Sequence, residues 1–227
     1  MKKTLLLLAF TATLLSCKNE TKSEDSQETS VIEDNLTTSE KIANANGFEN
    51  FDSVEEINFT FNVKVGDSLR SSRAWTWNPK QNKVAMTEND STATYIKVSN
   101  NLSEEDKALD SKFVNDSYWL LFPYQLVWSD ANFKEEKNAI APISKEKMNK
   151  LIVSYNADGG YTPGDTYDVY YDDDFMIKEW VYKAAGGGRE MATTWEDYET
   201  FKDLKISKMH KSEDGSFQLY FTDISVK

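Results

Sequence analysis

From Ile57 to Val65 the chain alternates strictly, with Ile57, Phe59, Phe61, Val63 and Val65 set against Asn58, Thr60, Asn62 and Lys64. A period of two predicts a strand in a sheet that is wet on one face. Gly66-Asp67 turns the chain, and the return strand carries Leu69, Ser71, Arg73, Trp75 and Trp77 on one face before Asn78-Pro79 turns it again. Val84–Thr87 and Thr92–Val98 complete a first meander. A second begins at Leu151–Tyr155 and continues through Tyr167–Tyr171, Phe175–Lys183, Met191–Tyr198, Lys205–Lys211 and Phe217–Val226. Its turns are marked by Asp158-Gly159-Gly160, Asp172-Asp173-Asp174, Gly186-Gly187-Gly188 and Asp214-Gly215. The count is about ten strands joined by short connections, which predicts antiparallel up-and-down pairing.

Helical periodicity appears in two places. Thr37 and Glu40 have capping-box spacing, and Ile42, Ala43 and Ala45 precede Gly47, so a short helix is expected over about Thr38–Asn46. The densest apolar run beyond the leader, Phe113–Trp128 (FVNDSYWLLFPYQLVW), lies between the two meanders. Ser103 caps an acidic first turn, Glu104-Glu105-Asp106. Val114, Tyr118, Leu121 and Phe122 share a face, and Pro123 is expected to end the helix. A polar loop and a short Ser144-capped turn are expected before Leu151. The predicted fold class is mainly β (α+β): a single curved antiparallel sheet, with an N-terminal helix and a helical insertion covering its concave face. Strands that do not alternate with helices exclude a Rossmann-like parallel sheet.

The first residues belong to another pattern. Lys2 and Lys3 precede the apolar stretch Leu5–Leu15, which is too short for an ordinary membrane span. Leu14-Leu15-Ser16-Cys17 then resembles a lipobox. Residues 1–16 are expected to be a lipoprotein signal peptide, and Cys17, the only cysteine, the site of lipid attachment. Residues 17–38 read as an acidic tether with too little apolar surface to offset the entropy of ordering it. Residues 39–227 form the folded domain, expected to be a monomer. The net charge of −12 becomes more negative without the leader's lysines, which argues against nucleic acid and anionic lipid headgroups as partners of the surface. The membrane would be reached through lipid chains on Cys17.

The stretches Ala43–Val63 (ANANGFENFDSVEEINFTFNV), YWLLFPYQLVW, GGYTPGDTYDVYY and ATTWEDY, in this order of elements, resemble the LolA/LolB-like half-barrel. They are also similar to an uncharacterised family of Gram-negative outer-membrane-type lipoproteins. The resemblance covers about Ser39–Lys227 and implies a sheet curled around an apolar cavity whose mouth is covered by helices. It further implies a cell-envelope protein, on the outer membrane, that shelters a lipid or acyl chain and is not an enzyme.

Little in the sequence suggests catalysis. Asn156, Asp158, Asp165 and Asp168, and the run Asp172–Asp174, supply oxygen donors of the kind calcium takes. They lack EF-hand spacing, so neither a metal nor a cofactor is expected. His210 is the only histidine, and no serine sits in a nucleophile elbow. Gly186-Gly187-Gly188-Arg189 opens a strand, not a helix, so it reads as a hairpin loop and not as a phosphate loop. The aromatics remain: six Trp, eleven Tyr and twelve Phe. They can pack as core, line a cavity, or stand exposed as a platform for sugar rings, the last making a glycan-binding surface lipoprotein the alternative. The candidate ligand-binding residues are Trp75, Trp77, Trp119, Phe122, Trp180 and Trp195 as apolar walls, with Arg73 to pair with a negative headgroup.

Overall fold

The computed structural model describes residues 35–97, 102–156 and 163–227. Cys17, the leader, nearly all of the tether and Asp158 lie outside them. Helix α1, Thr38–Ala45, starts at a complete capping box: Thr37 accepts from the Glu40 amide, and the Glu40 carboxylate accepts from the Thr37 amide. It stops at Gly47, where φ is +86° and a Cβ would lie 2.0 Å from the Asp203 carbonyl oxygen. No other residue satisfies both conditions there. A 3-10 turn, Phe48–Ser53, leads to the first strand.

Twelve strands follow, all paired antiparallel. They are β1 Ile57–Val65, β2 Ser68–Asn78, β3 Lys83–Glu88, β4 Ser91–Ile96, β5 Ala131–Ile140, β6 Lys147–Tyr155, β7 Thr166–Tyr171, β8 Ile177–Lys183, β9 Glu190–Thr194, β10 Glu196–Phe201, β11 Leu204–Lys211 and β12 Phe217–Val226. They form two unclosed sheets, of order β10-β11-β12-β1-β2-β3-β4 and β5-β6-β7-β8-β9. The chain builds β1–β4, crosses through the helices, builds the whole second sheet, and returns so that β12 pairs with β1. The sheets part at Trp195, between β9 and β10. The expected strand over Met191–Tyr198 is therefore two strands with a change of sheet between them.

Helix α2, Glu104–Leu120, begins at Ser103, whose hydroxyl accepts from the Asp106 amide. Leu109, Phe113, Asp116 and Leu120 lie on its buried face. Pro123 does not end the helical insertion. The break falls at Leu121 (φ −122°, ψ 30°), and Pro123 stands in the first turn of α3, Phe122–Trp128, where its missing N–H costs no hydrogen bond. The expected polar loop after Trp128 is likewise a strand. β5 pairs with β6 from Ala131↔Tyr155 onward. It reads as loop because it is an edge strand with nearly every residue exposed, and its lysines and glutamates discourage pairing with a further chain.

One contiguous core joins both sheets and the helices through Phe59, Trp75, Phe113, Phe122, Val153 and Trp180. The large rings dominate that burial.

Candidate functional site

Between the sheets and under α2 lies a partly open cavity of about 670 Å³. The first sheet supplies Phe61 and Val63 from β1 and Phe217 and Leu219 from β12. The second supplies Tyr155, Tyr167, Trp180, Tyr182 and Met191. Helix α2 lays Ser111, Val114, Asn115, Tyr118 and Trp119 across them, and Gln125, Ser129, Asp130, Asn156 and Arg189 complete the lining. The volume lies in the range of small-molecule sites, and the walls are mainly aromatic and aliphatic with a few polar groups, as such sites usually are.

The polar groups are ordered by depth. Tyr118 is half-buried, and its hydroxyl lies 2.9 Å from that of Tyr155. Burial, and then the neighbouring phenols of Tyr167 and Tyr155, raise the Tyr118 pKa well above its ordinary value. Burial likewise raises Tyr155 and Tyr167. The three phenols are therefore neutral and serve as hydrogen-bonding groups, not as bases. Tyr167 stacks at a tilt on Trp180, with centroids 5.1 Å apart. Farther out are Ser111, Asn115, Asp130 and Arg189, all exposed.

Helix α2 is fixed above the cavity by ionic contacts as well as by packing. The Asp116 carboxylate is fully buried and receives Arg73 Nε at 2.7 Å, Arg73 Nη2 at 2.6 Å and Trp75 Nε1 at 2.8 Å. The fork geometry matches a carboxylate in two places at once. Nearly two turns earlier, Asp110 accepts from the Tyr95 hydroxyl at 2.6 Å. Helix α2 is thus tied to both β2 and β4.

The seven sequence candidates consequently part company. Trp119 and Trp180 stand on the cavity wall. Arg73 is turned to Asp116, gives Nη1 to the Ser71 hydroxyl, and lies 4.9 Å over the Phe61 ring. Its guanidinium is thereby engaged within the protein. Trp75 packs on Phe113 beside that ion pair, and Trp77 packs on Phe113 and Phe51. Phe122 has no exposed surface and touches Trp180, Trp195 and Tyr167. Trp195 lies against His210, with centroids 4.4 Å apart. These five are not on the lining. The lining residues that the sequence candidates omit include the tyrosines of β6–β8, Tyr118 and Arg189. The alternation of Tyr155, Tyr167 and Tyr182 along their strands was the available signal.

No group of three or more metal-ligating side chains gathers among the described residues, and no helix among them is long and apolar enough to cross a membrane. No family model and no curated protein matches the sequence. Solved structures do match. The crystal structure of LolA superfamily protein NE2245 from Nitrosomonas europaea is 11% identical with a TM-score of 0.50, covering 85% of this chain and 94% of that one. A DUF1329 family protein from Desulfovibrio piger is 7% identical (TM-score 0.43, 84% and 92% covered). A domain described as a putative outer membrane lipoprotein-sorting protein from Vibrio parahaemolyticus is 12% identical (TM-score 0.41, 83% and 93% covered). The LolA-like fold expected from the order of elements is the fold the chain has; at these identities the likeness is one of fold.

Proposed function

We propose that this chain is a lipid-anchored lipoprotein of the cell envelope, on the outer membrane, that holds an apolar or amphipathic ligand such as an acyl chain and carries out no catalysis. Residues 1–16 would be the signal peptide, Cys17 the anchor, 17–38 the tether and 39–227 the carrier domain. The observation that supports it best is the aromatic-walled cavity of about 670 Å³ between the sheets. It is open at one side and mainly aromatic within, with neutral phenols at depth and the charged Asp130 and Arg189 at its exposed edge. The only histidine lies buried behind Trp119 and Trp195 and does not reach the lining, which among the described residues carries a single carboxylate, Asp130, and so no acid–base pair. A sugar platform needs exposed ring faces. Trp75, Trp180 and Trp195 are buried, and Trp77 is covered on one side by Phe113, which weighs against glycan binding.

Native mass spectrometry of the protein purified from cells tests this directly. A co-purified lipid, or saturable uptake of a fluorescent fatty acid, is expected. A ligand-free mass together with no uptake would reject it.

A further inference from the structure

The cavity has a charged side that the carrier assignment does not require. Arg189 lines it from the start of β9, beyond the turn Ala185–Gly187. The turn is built to hold that position: Gly186 and Gly187 have φ of +75° and +77°, and Asp165 fixes its start by accepting from the Ala185 amide at 2.9 Å. The chain has 38 acidic residues to 26 basic ones, yet Arg189 forms no ion pair among the described residues. The only side-chain contact of its guanidinium there is with the Met191 sulfur, at 3.7 Å. On the same wall, burial and then Asp165 raise the Tyr182 phenol, an effect that the charge of Arg189 partly opposes. Exposed Arg70 likewise forms no ion pair among the described residues, but it does not lie on the cavity lining, whereas Arg189 does. Arg189 is held beside the aromatic cavity with most of its fork of donors unused.

We propose that Arg189 is an anion subsite at the edge of the cavity, and that the ligand is an anionic amphiphile. Its carboxylate or phosphate oxygens would meet the guanidinium, and its tail would lie against Trp119 and Trp180. This deepens the carrier assignment and rests on it. The guanidinium is suited to the task because its planar donors pair with two oxyanion oxygens at once. A single positive charge against a negative background also recruits and orients such a ligand. Asp130, the lone acid on the lining among the described residues, comes from the connection after α3 and would repel a headgroup placed there.

The test uses the full chain carrying Cys17→Ser, which keeps the anchor's own lipid out of the assay, and probes that share a twelve-carbon tail. Laurate and dodecyl phosphate should bind at least about tenfold tighter than dodecyl maltoside or dodecylphosphocholine, as a charge-assisted contact allows. Arg189→Gln should erase that preference and leave dodecyl maltoside binding and the melting temperature unchanged, and Arg189→Lys should restore part of it. Inorganic phosphate without a tail should not bind measurably. Equal affinity for all headgroups, or equal weakening of all of them by Arg189→Gln, would overturn the subsite and leave the carrier assignment standing. Binding of inorganic phosphate alone, with no tailed probe bound, would overturn both.

Discussion

His210 allows one consequence of the fold to be worked through quantitatively. It lies on β11 with no exposed surface, enclosed by the rings of Trp195, Trp119 and Phe221 at 4.4, 5.3 and 6.0 Å. Nδ1 is 3.3 Å from the Thr194 carbonyl oxygen, and Nε2 has no hydrogen-bond partner among the described residues. Protonation would place a charge and an unpaired N–H among aromatic rings. Burial therefore drives the pKa from 6.5 down to about 3, against the opposing bond to Thr194. The unfolded chain takes up this proton near pH 6.5 and the folded chain does not. The contribution to stability is thus fully present above that value and is lost as pH falls, by about 1.4 kcal/mol per unit until about pH 3. At about pH 5 the loss is about 2 kcal/mol, which for a domain of this size lowers the melting temperature by about 4–8 °C.

The window separates this effect from acid loss of the carboxylates. Glu56, held by Lys227, Asn58 and Asn78, and Asp214, held by Ser212 and Ser216, are each lowered to about 2. Their stabilisation is present above their ordinary values of 4.5 and 3.8 and is lost as pH falls through and below these. Melting curves at about pH 7.5 and pH 5 should therefore differ in the wild type and nearly coincide in His210→Phe, which keeps a ring and removes the titration. Because the chain has one histidine, a single imidazole signal reports the site by NMR and should not move over that range. A folded-state titration near pH 6.5, or an unchanged pH slope in His210→Phe, would show that the pocket is wet and the reasoning mistaken.

Other expected outcomes follow from neighbouring contacts. Phe122→Ala should cost about 3–5 kcal/mol in urea unfolding, as for a buried ring in close packing. Trp119→Ala should weaken fatty-acid uptake and, by letting water reach His210, move the imidazole pKa back towards 6.5; an unmoved pKa would deny that Trp119 is the barrier. Asp116→Ala should cost about 3–5 kcal/mol, because it leaves Arg73 and Trp75 Nε1 without their acceptor, whereas joint replacement of Arg73 by Met and Asp116 by Leu should recover the share due to Arg73 and leave that of Trp75 Nε1. Cys17→Ser should appear in the soluble fraction after a salt wash, and persistence with membranes would refute the lipid anchor.

The difference between what the sequence disclosed and what it concealed has a physical basis. Alternation over Ile57–Val65 was legible because one face of β1 is dry and the other wet, and period two records that contrast directly. β5 was illegible for the same reason reversed: an edge strand with both faces near water leaves no contrast to read. Arg73 was placed on the correct face of β2, beside Trp75, but its partner is 43 residues onward on another element, and no local pattern predicts that pairing. The rings told how much aromatic surface must be hidden, not which part of it borders a cavity, since that depends on where the second sheet folds back. Helix α2 held the one signal that links the two levels. Leu109, Phe113, Asp116 and Leu120 form one stripe at helical spacing, and Ser111, Val114, Asn115 and Tyr118 form a second, partly apolar one. A helix resting on a single sheet needs only the first stripe. The second, graded from exposed Ser111 and Asn115 to half-buried Val114 and Tyr118, requires another surface that approaches without closing completely. Two stripes on one helix therefore imply a space between two sheets, and the cavity occupies that space.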